Sequence, residues 1–396
     1  MADRPRILWL QTQPEHYFNR MMDDLASLGT CEYIAAFSSK GPGWYKECPT
    51  PRQVQSVFLR PRQGLDKQSP NMTRRYHEDW RADLYPLHFD AAIVAGYGLR
   101  THREVIRDCH RRGIPVAMFS DSNLRSQRGR SWKVRLKRAV KRRLLGSLIA
   151  DVDLLLTANH LGVAYWRYFG APASKIVVCP YYADYARVEA ARRTPREMVL
   201  AAHGLAADAR YLYTAARLVS AKGLHLIIEA FGRSHLPKRG YHYLLAGVGP
   251  LEESLKRQAG SLLGKSIHFL GFQQPSENLA LIAHADLFVL PSIYEPHGIV
   301  VHESLAAGTP VLASDVCGAA YDLVTPGLSG ELFRSGDVAD LTLKLERVVG
   351  DPGQADALRA TSRAEFERWF AEYSPILVTE RAVDRLLASR PGSSKA

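Results

Sequence analysis

The sequence predicts an α/β protein built from two doubly wound parallel sheets, one in each half of the chain. Three observations carry that expectation. Short apolar, β-branched runs alternate with helix-length patterns along the chain, the arrangement that yields parallel sheets covered on both faces. The chain has 396 residues, too many for one ordinary core and suited to two domains of about 150–200 residues each. Around residues 286–314, finally, a complete strand–loop–helix–strand unit can be read directly.

In the first half the strand-like runs are ILWLQ (7–11), AAIVAG (91–96), PVAMFS (115–120), DLLLTA (153–158) and KIVVCP (175–180). In the second they are YLYTAAR (211–217), YHYLLAG (241–247), SIHFLG (266–271), DLFVLPS (286–292) and PVLAS (310–314). Helical spacing appears between them, as in GLHLIIEAF (223–231), where Leu224, Ile227, Ile228 and Phe231 share a face. The polar stretch ARRTPRE (191–197) is the expected linker. This gives a first domain over 1–195, a second over 196–370, and a terminal segment over 371–396. The region 41–85, rich in Pro, Gly, Arg and aromatics, shows no clear period.

Hydrophobic residues make up 46% and charged residues 23% of the chain, a globular composition rather than a disordered one. No apolar run approaches the roughly 20 residues that span a bilayer, and MADRPRILWLQTQPEH does not read as a signal peptide. The five cysteines, Cys31, Cys48, Cys109, Cys179 and Cys317, are scattered and form no CxxC pair. That argues against a disulfide framework or zinc site and for a reducing cytoplasm. The formal charge is +12, yet residues 125–143 hold ten Lys/Arg and no acid, and without them it falls to +2.

Three features of the second half fall at strand ends. Arg217 closes one strand, and Lys222-Gly223 open the following helix, so two cations meet a helix N-terminus, a site suited to phosphate or diphosphate. AGVGP (246–250) is a tight glycine turn that lets a ligand approach the backbone. Glu295 and Glu303 then flank Gly298, Ile299 and Val300, whose N–H groups open another helix. Cations and amides suit a diphosphate, and carboxylates suit hydroxyl donors. A nucleotide sugar has both.

The pattern ARL-x3-KG, AGVGP, HFLGF and HADLFVLPSIYEPHGIVVHESLAAGTPV resembles the retaining glycosyltransferases of the GT-B "group 1" class, family 4, over about residues 209–335. The resemblance implies two Rossmann-like domains facing across a cleft, with a C-terminal helix returning to the first domain, for which 366–388 is suited. It also implies roles. Arg217 and Lys222 would hold the diphosphate and Glu303 the ribose hydroxyls. Glu295 would bind hydroxyls of the donor sugar as a positioning group, with Gly298, Ile299 and Val300 offering amides. Gly249 would border the phosphates, and Gly271 and Phe272 would lie near the base. The expected reaction is metal-independent transfer from a nucleotide sugar, UDP-sugar favoured and GDP-sugar the alternative. The acceptor is a hydroxyl of a glycan, glycolipid or small molecule. No cofactor is expected, and attack falls on the face of the leaving group. Alternatives are a catalytically silent GT-B protein that binds nucleotide sugar or scaffolds a partner, and a GT-B sugar-nucleotide epimerase.

The first half departs from the family. Where many members have a Gly-Gly loop this chain has QTQPEHYFNR, and where a His often ends a strand it has Ser120-Asp121. His16, Ser120 and Asp121 are the candidates on the acceptor side.

In the basic segment, 125–148, Trp132, Leu136, Val140, Leu144 and Leu148 recur every fourth residue. With Lys133, Arg135, Lys137, Arg138 and Lys141 they suit a helix lying on an anionic membrane, which would place the enzyme at the inner face of the plasma membrane. The alternatives are a helix packed on its own domain and, last, one that binds nucleic acid, for which no binding module is present.

Overall fold

The computed structural model describes residues 4–39, 49–60, 77, 79–125 and 132–389, and in the helix Trp132–Asp151 the described side chains begin at Val140. The chain divides into two compact units. The first comprises Met1–Ser122, Gly129–Tyr182 and Tyr373–Ala396, and the second Asn123–Arg128 and Ala183–Glu372.

The first unit holds β1 (Arg6–Gln11), β2 (Glu32–Phe37), β3 (Gln55–Phe58), β4 (Ala91–Ala95), β5 (Val116–Ser120), β6 (Leu154–Thr157) and β7 (Ile176–Val178). All run parallel in the order β3-β2-β1-β4-β5-β6-β7. One face is covered by the helix His16–Leu28, whose Phe18, Met22 and Leu25 pack with Trp9, Phe37 and Phe119. Val378, Ala382, Val383 and Leu386 of the helix Pro375–Ala388 join that core.

The second unit holds β8 (Arg210–Ala215), β9 (Tyr241–Ala246), β10 (Ile267–Gly271), β11 (Leu287–Leu290), β12 (Val311–Ser314) and β13 (Gly330–Phe333), parallel in the order β10-β9-β8-β11-β12-β13. Strand alternation splits its core in two. Tyr211 and Tyr213 face the cluster of Leu244, Phe288, Val301 and Leu305, while Leu212 faces that of Tyr243, Val289, Ile227 and Phe231. Leu212 pairs with Tyr243 on one side and Leu287 on the other. β8 is therefore the strand from which the order runs outward both ways, and ligands in such sheets lie beyond its carboxyl end.

All ten strand-like runs are strands. β2, β3 and β13 went unread. The chain changes unit at 182–183, not at 191–197. ARRTPRE is not a linker: it joins the helices Tyr185–Arg192 and Arg196–Ala202, and Arg192 and Arg363 both pair with Glu189. Nor is 366–388 one helix. The helix Pro352–Tyr373 ends before Ser374-Pro375, since proline lacks the N–H a helix interior needs. Phe366, Trp369 and Phe370 stay with the second unit's core, and only the helix after Pro375 belongs to the first. Among the described residues no helix is long and apolar enough to cross a membrane, and Cys31, Cys109, Cys179 and Cys317 are all free and buried.

Candidate active site

Beyond the carboxyl end of β8 the chain runs through Arg217 into a short 3-10 turn, Ser220–Lys222, and then into the helix Leu224–Arg233. Beyond β11 it runs through Ser292 and Glu295 into the helix Val300–Ala307. The two exits are tied together. Ile293 and Tyr294 donate their amides to Ala221 O at 2.9 and 3.0 Å. Gly223 sits between them with φ +61°, and a Cβ there would stand 2.1 Å from Pro291 O. Only a residue without Cβ lets the backbones approach this closely.

That approach delivers Lys222 to Glu295. Lys222 Nζ donates to Glu295 Oε2 at 2.5 Å, and Ser292 Oγ donates to the same oxygen at 3.1 Å. Glu295 is only 7% exposed, so an ionised carboxylate here needs such partners. Oε1 takes no hydrogen bond from the described residues. Behind the carboxylate, Ser314 Oγ at the end of β12 donates to Ser292 O at 2.6 Å, and Ser335 Oγ reaches the same carbonyl at 3.5 Å.

Gly298 turns with φ +90° between Cys317 Sγ and Leu290, either of which a Cβ would meet. The amides of Gly298, Ile299 and Val300 follow, and none makes a turn or cap bond to a described residue. They present a helix N-terminus open to an anion. Glu303, in the first turn of that helix, is half-buried and accepts no hydrogen bond from the described residues. Burial, with Asp184 nearby, raises its carboxyl from 4.5 to about 7. His297 and His302 are buried beside it, and burial lowers both, His302 to about 3, so neither adds charge at physiological pH. Arg217 is exposed and forms no ion pair with a described residue.

Arg217, Lys222, Glu295, Glu303 and Gly298–Val300 therefore all lie at the carboxyl ends of β8 and β11 or on the segments that follow. Gly249 lies in the turn after β9, where Val248 O accepts from Leu218 N at 3.0 Å. Gly271 ends β10 and accepts from Gly247 N at 2.7 Å, and Phe272 beside it is exposed.

In the first unit, Ser120 is buried at the end of β5, and its Oγ accepts from Ser122 N at 3.2 Å. Asp121 follows, with Tyr181 OH at 3.5 Å. His16 is exposed at the start of its helix. Glu15, which was not singled out, is half-buried at the cap of that helix. Burial raises its carboxyl to about 7, and Asp121 adds to the effect. Ser292 also went unread, as did Asn123, whose Nδ2 donates to Pro296 O at 3.1 Å within the second unit. A lone Ser or Asn carries no spacing signal.

The basic segment forms the helix Trp132–Asp151. The side chains of Trp132, Lys133, Arg135, Lys137 and Arg138 lie outside those described. Lys141 does not join the outward face: it is half-buried, with Nζ over the rings of Tyr97 and Tyr165 at 5.4 and 5.1 Å. The apolar row winds as it goes. Val140 (66%) and Leu144 (36%) are exposed, as are Arg142 and Arg143 between them in sequence, whereas Leu145, Leu148 and Ile149 are buried.

Residues 196–365 match the family described as glycosyl transferases group 1. The chain is 31% identical to glycogen synthase of Mycobacterium tuberculosis over 247 residues, 62% of this chain and 56% of that one. It is 33% identical over 188 residues to LpsE, a lipopolysaccharide core biosynthesis glycosyltransferase of Rhizobium meliloti, covering 47% and 52%. It thus spans about half the length of these curated relatives. The structure of HepE from Anabaena, solved with UDP and glucose, superposes with a TM-score of 0.70 at 17% identity, over 97% of this chain and 99% of that one. Two such doubly wound units make the fold GT-B.

Two outcomes follow from this geometry. Gly223→Ala must force φ +61° on a β-carbon against Pro291 O. It should cost at least about 1–3 kcal/mol and lower the melting temperature; an unchanged melting temperature would refute the close approach. Because Glu303 binds its proton more tightly folded than unfolded, its stabilising contribution is full below about pH 4.5 and lost as pH rises through about 7. The melting temperature of Glu303→Gln relative to the parent should therefore climb across that interval, and a constant difference would show that Glu303 titrates normally.

Proposed function

We propose a function for this chain from its membership, through residues 196–365, of the group 1 glycosyltransferase family: retaining transfer of a sugar from a nucleotide sugar to an acceptor hydroxyl. The observation that carries the reading is the Lys222–Glu295 pair, on the same strand exits as Arg217, which has no ion pair among the described residues, and the helix start at Gly298–Val300. It places cation, amide and carboxylate chemistry at one strand-order switch. Arg217, Lys222 and the amides of Gly298–Val300 bind the diphosphate and stabilise its charge as it leaves. Glu303 accepts from the ribose hydroxyls, and Glu295 accepts from the donor sugar through Oε1. The glycosidic bond to phosphate breaks as the acceptor oxygen bonds to the anomeric carbon on the same face. The acceptor's proton passes to the leaving phosphate oxygen, so no protein nucleophile is required. Two cations supply the charge that a metal would otherwise bring, and the reaction is metal-independent. HepE, solved with UDP and glucose, favours a UDP-sugar.

The exposed Val140 and Leu144, with exposed Arg142 and Arg143 between them in sequence, suit an anionic lipid surface, each basic residue adding about 1 kcal/mol near it. We therefore place the enzyme at such a membrane, as fits a lipid-linked acceptor.

In a thermal-shift panel of UDP, GDP, ADP, TDP and their sugars, run with EDTA, a ligand at 100 times its Kd should add about 2.7 kcal/mol. The shift should appear for one nucleotide family, UDP first, and vanish in Arg217→Ala and Glu303→Ala. No shift with any ligand would shift the reading to a silent scaffold, and a shift only with added metal would remove metal independence. On phosphatidylglycerol vesicles the protein should co-sediment at low salt and be released by high salt. Val140→Asp/Leu144→Asp should weaken that binding; failure of the parent to bind would end the membrane assignment.

A further inference from the structure

Lys222 has two claimants. Its Nζ is 2.5 Å from Glu295 Oε2, and Glu295 is its ion-pair partner among the described residues. Yet it follows Arg217 on the exit of β8, and its partner Glu295 precedes the open N-terminus of Val300–Ala307, where the proposed function puts the diphosphate. An ammonium has three donors, but it is a single charge on one stem and cannot fully serve two anions. Glu295 is built to release it. Ser292 Oγ, at 3.1 Å, keeps Oε2 hydrogen-bonded when the lysine moves, and Oε1 remains open to further donors.

We propose that Glu295 competes with the leaving diphosphate for Lys222, so that the site grips the intact donor more firmly than the product. This rests on the nucleotide-sugar reading above and adds a second task for Glu295. While the sugar is attached, its hydroxyls donate to Glu295 and free Lys222 for the diphosphate. Once the sugar has gone to the acceptor, Glu295 has lost those donors and takes Lys222 back. The diphosphate then faces Arg217 and the backbone amides with less of the lysine's charge, and it leaves sooner. The buried carboxylate thus reads whether the sugar is still present and passes the result to the phosphates through one cation.

The test is calorimetric titration of the full-length protein with UDP and with GDP, without metal. Glu295→Gln removes the competing charge and keeps the shape, so it should bind the diphosphate on the order of tenfold more tightly than the parent, even as turnover falls. In a Lys222→Met background the same Glu295→Gln change should alter affinity by less than about twofold, because the competition runs through Lys222. Ser292→Ala leaves Lys222 as the partner of Oε2 and should weaken diphosphate binding; it gives a reading even if Glu295→Gln folds poorly. Equal or weaker binding by Glu295→Gln, or a gain that persists without Lys222, overturns the proposal while leaving the nucleotide site intact. Binding of neither diphosphate by any variant overturns that site as well.

Discussion

The carboxyl end of the second unit's sheet depends on the contact between Lys222 and Glu295. These residues are 73 apart in sequence and follow β8 and β11, the two strands flanking the point where the sheet order turns outward. The contact is expensive, since one partner is buried and an ion pair recovers its desolvation cost only with good geometry and added hydrogen bonds. Here the geometry is over-determined. Gly223 lets the two exits touch, Ala221 O takes two amides from the opposing loop, and Ser292 supplies a second donor. Well-packed apolar residues would hold two loops together as well. On the proposed function a charged pair there has its explanation in chemistry, as a cation and a carboxylate held ready at set places.

The same layout explains why the surrounding polar groups look unfinished. Glu303 has no donor, Oε1 of Glu295 has none, and the amides of Gly298–Val300 have no turn or cap acceptor among the described residues. Polar groups that solvent can reach are served by water or by a ligand. Their deficits are complementary in kind: acceptors without donors on one side, donors without acceptors on the other. A ligand carrying both hydroxyls and phosphates resolves all of them together, whereas water would resolve them singly.

What could be read in the sequence divides along physical lines. Central parallel strands are buried on both faces, so runs such as LFVL and VLAS announce themselves, and Glu295 and Glu303 could be placed because both sit at a strand exit and helix start. β3 was invisible for the opposite reason: as an edge strand, QSVF is only half-buried and resembles a loop. The polar 191–197 misled because surface helices paired through Glu189, Arg192 and Arg363 have the composition of a linker. The row from Trp132 to Leu148 could not say where outside becomes inside. A spacing of four overshoots the helical turn, so the row drifts from exposed Val140 to buried Leu148. Ser292 and Asn123 act through contacts that no local pattern encodes, and Asn123 reaches Pro296 across 173 residues.

The first unit differs from the second in the charge gathered at its carboxyl edge. There Glu15 follows β1 and Asp121 follows β5, close enough that one raises the other, with Tyr181 OH alongside. Carboxylates in that position repel phosphate and accept from hydroxyls. The second unit does the reverse, with Arg217, Lys222 and a helix N-terminus. A glycosyltransferase needs this division, because its donor is a polyanion and its acceptor presents an O–H. The replacement of a glycine loop by Gln13-Pro14-Glu15 fits the same logic. A Gly-Gly turn at a helix start invites an anion to the backbone amides, whereas a glutamate at that helix cap sets its own carboxyl there instead. On the proposed function, then, the family's departure in this chain is a change in what its first unit will accept, with the donor chemistry left to the second.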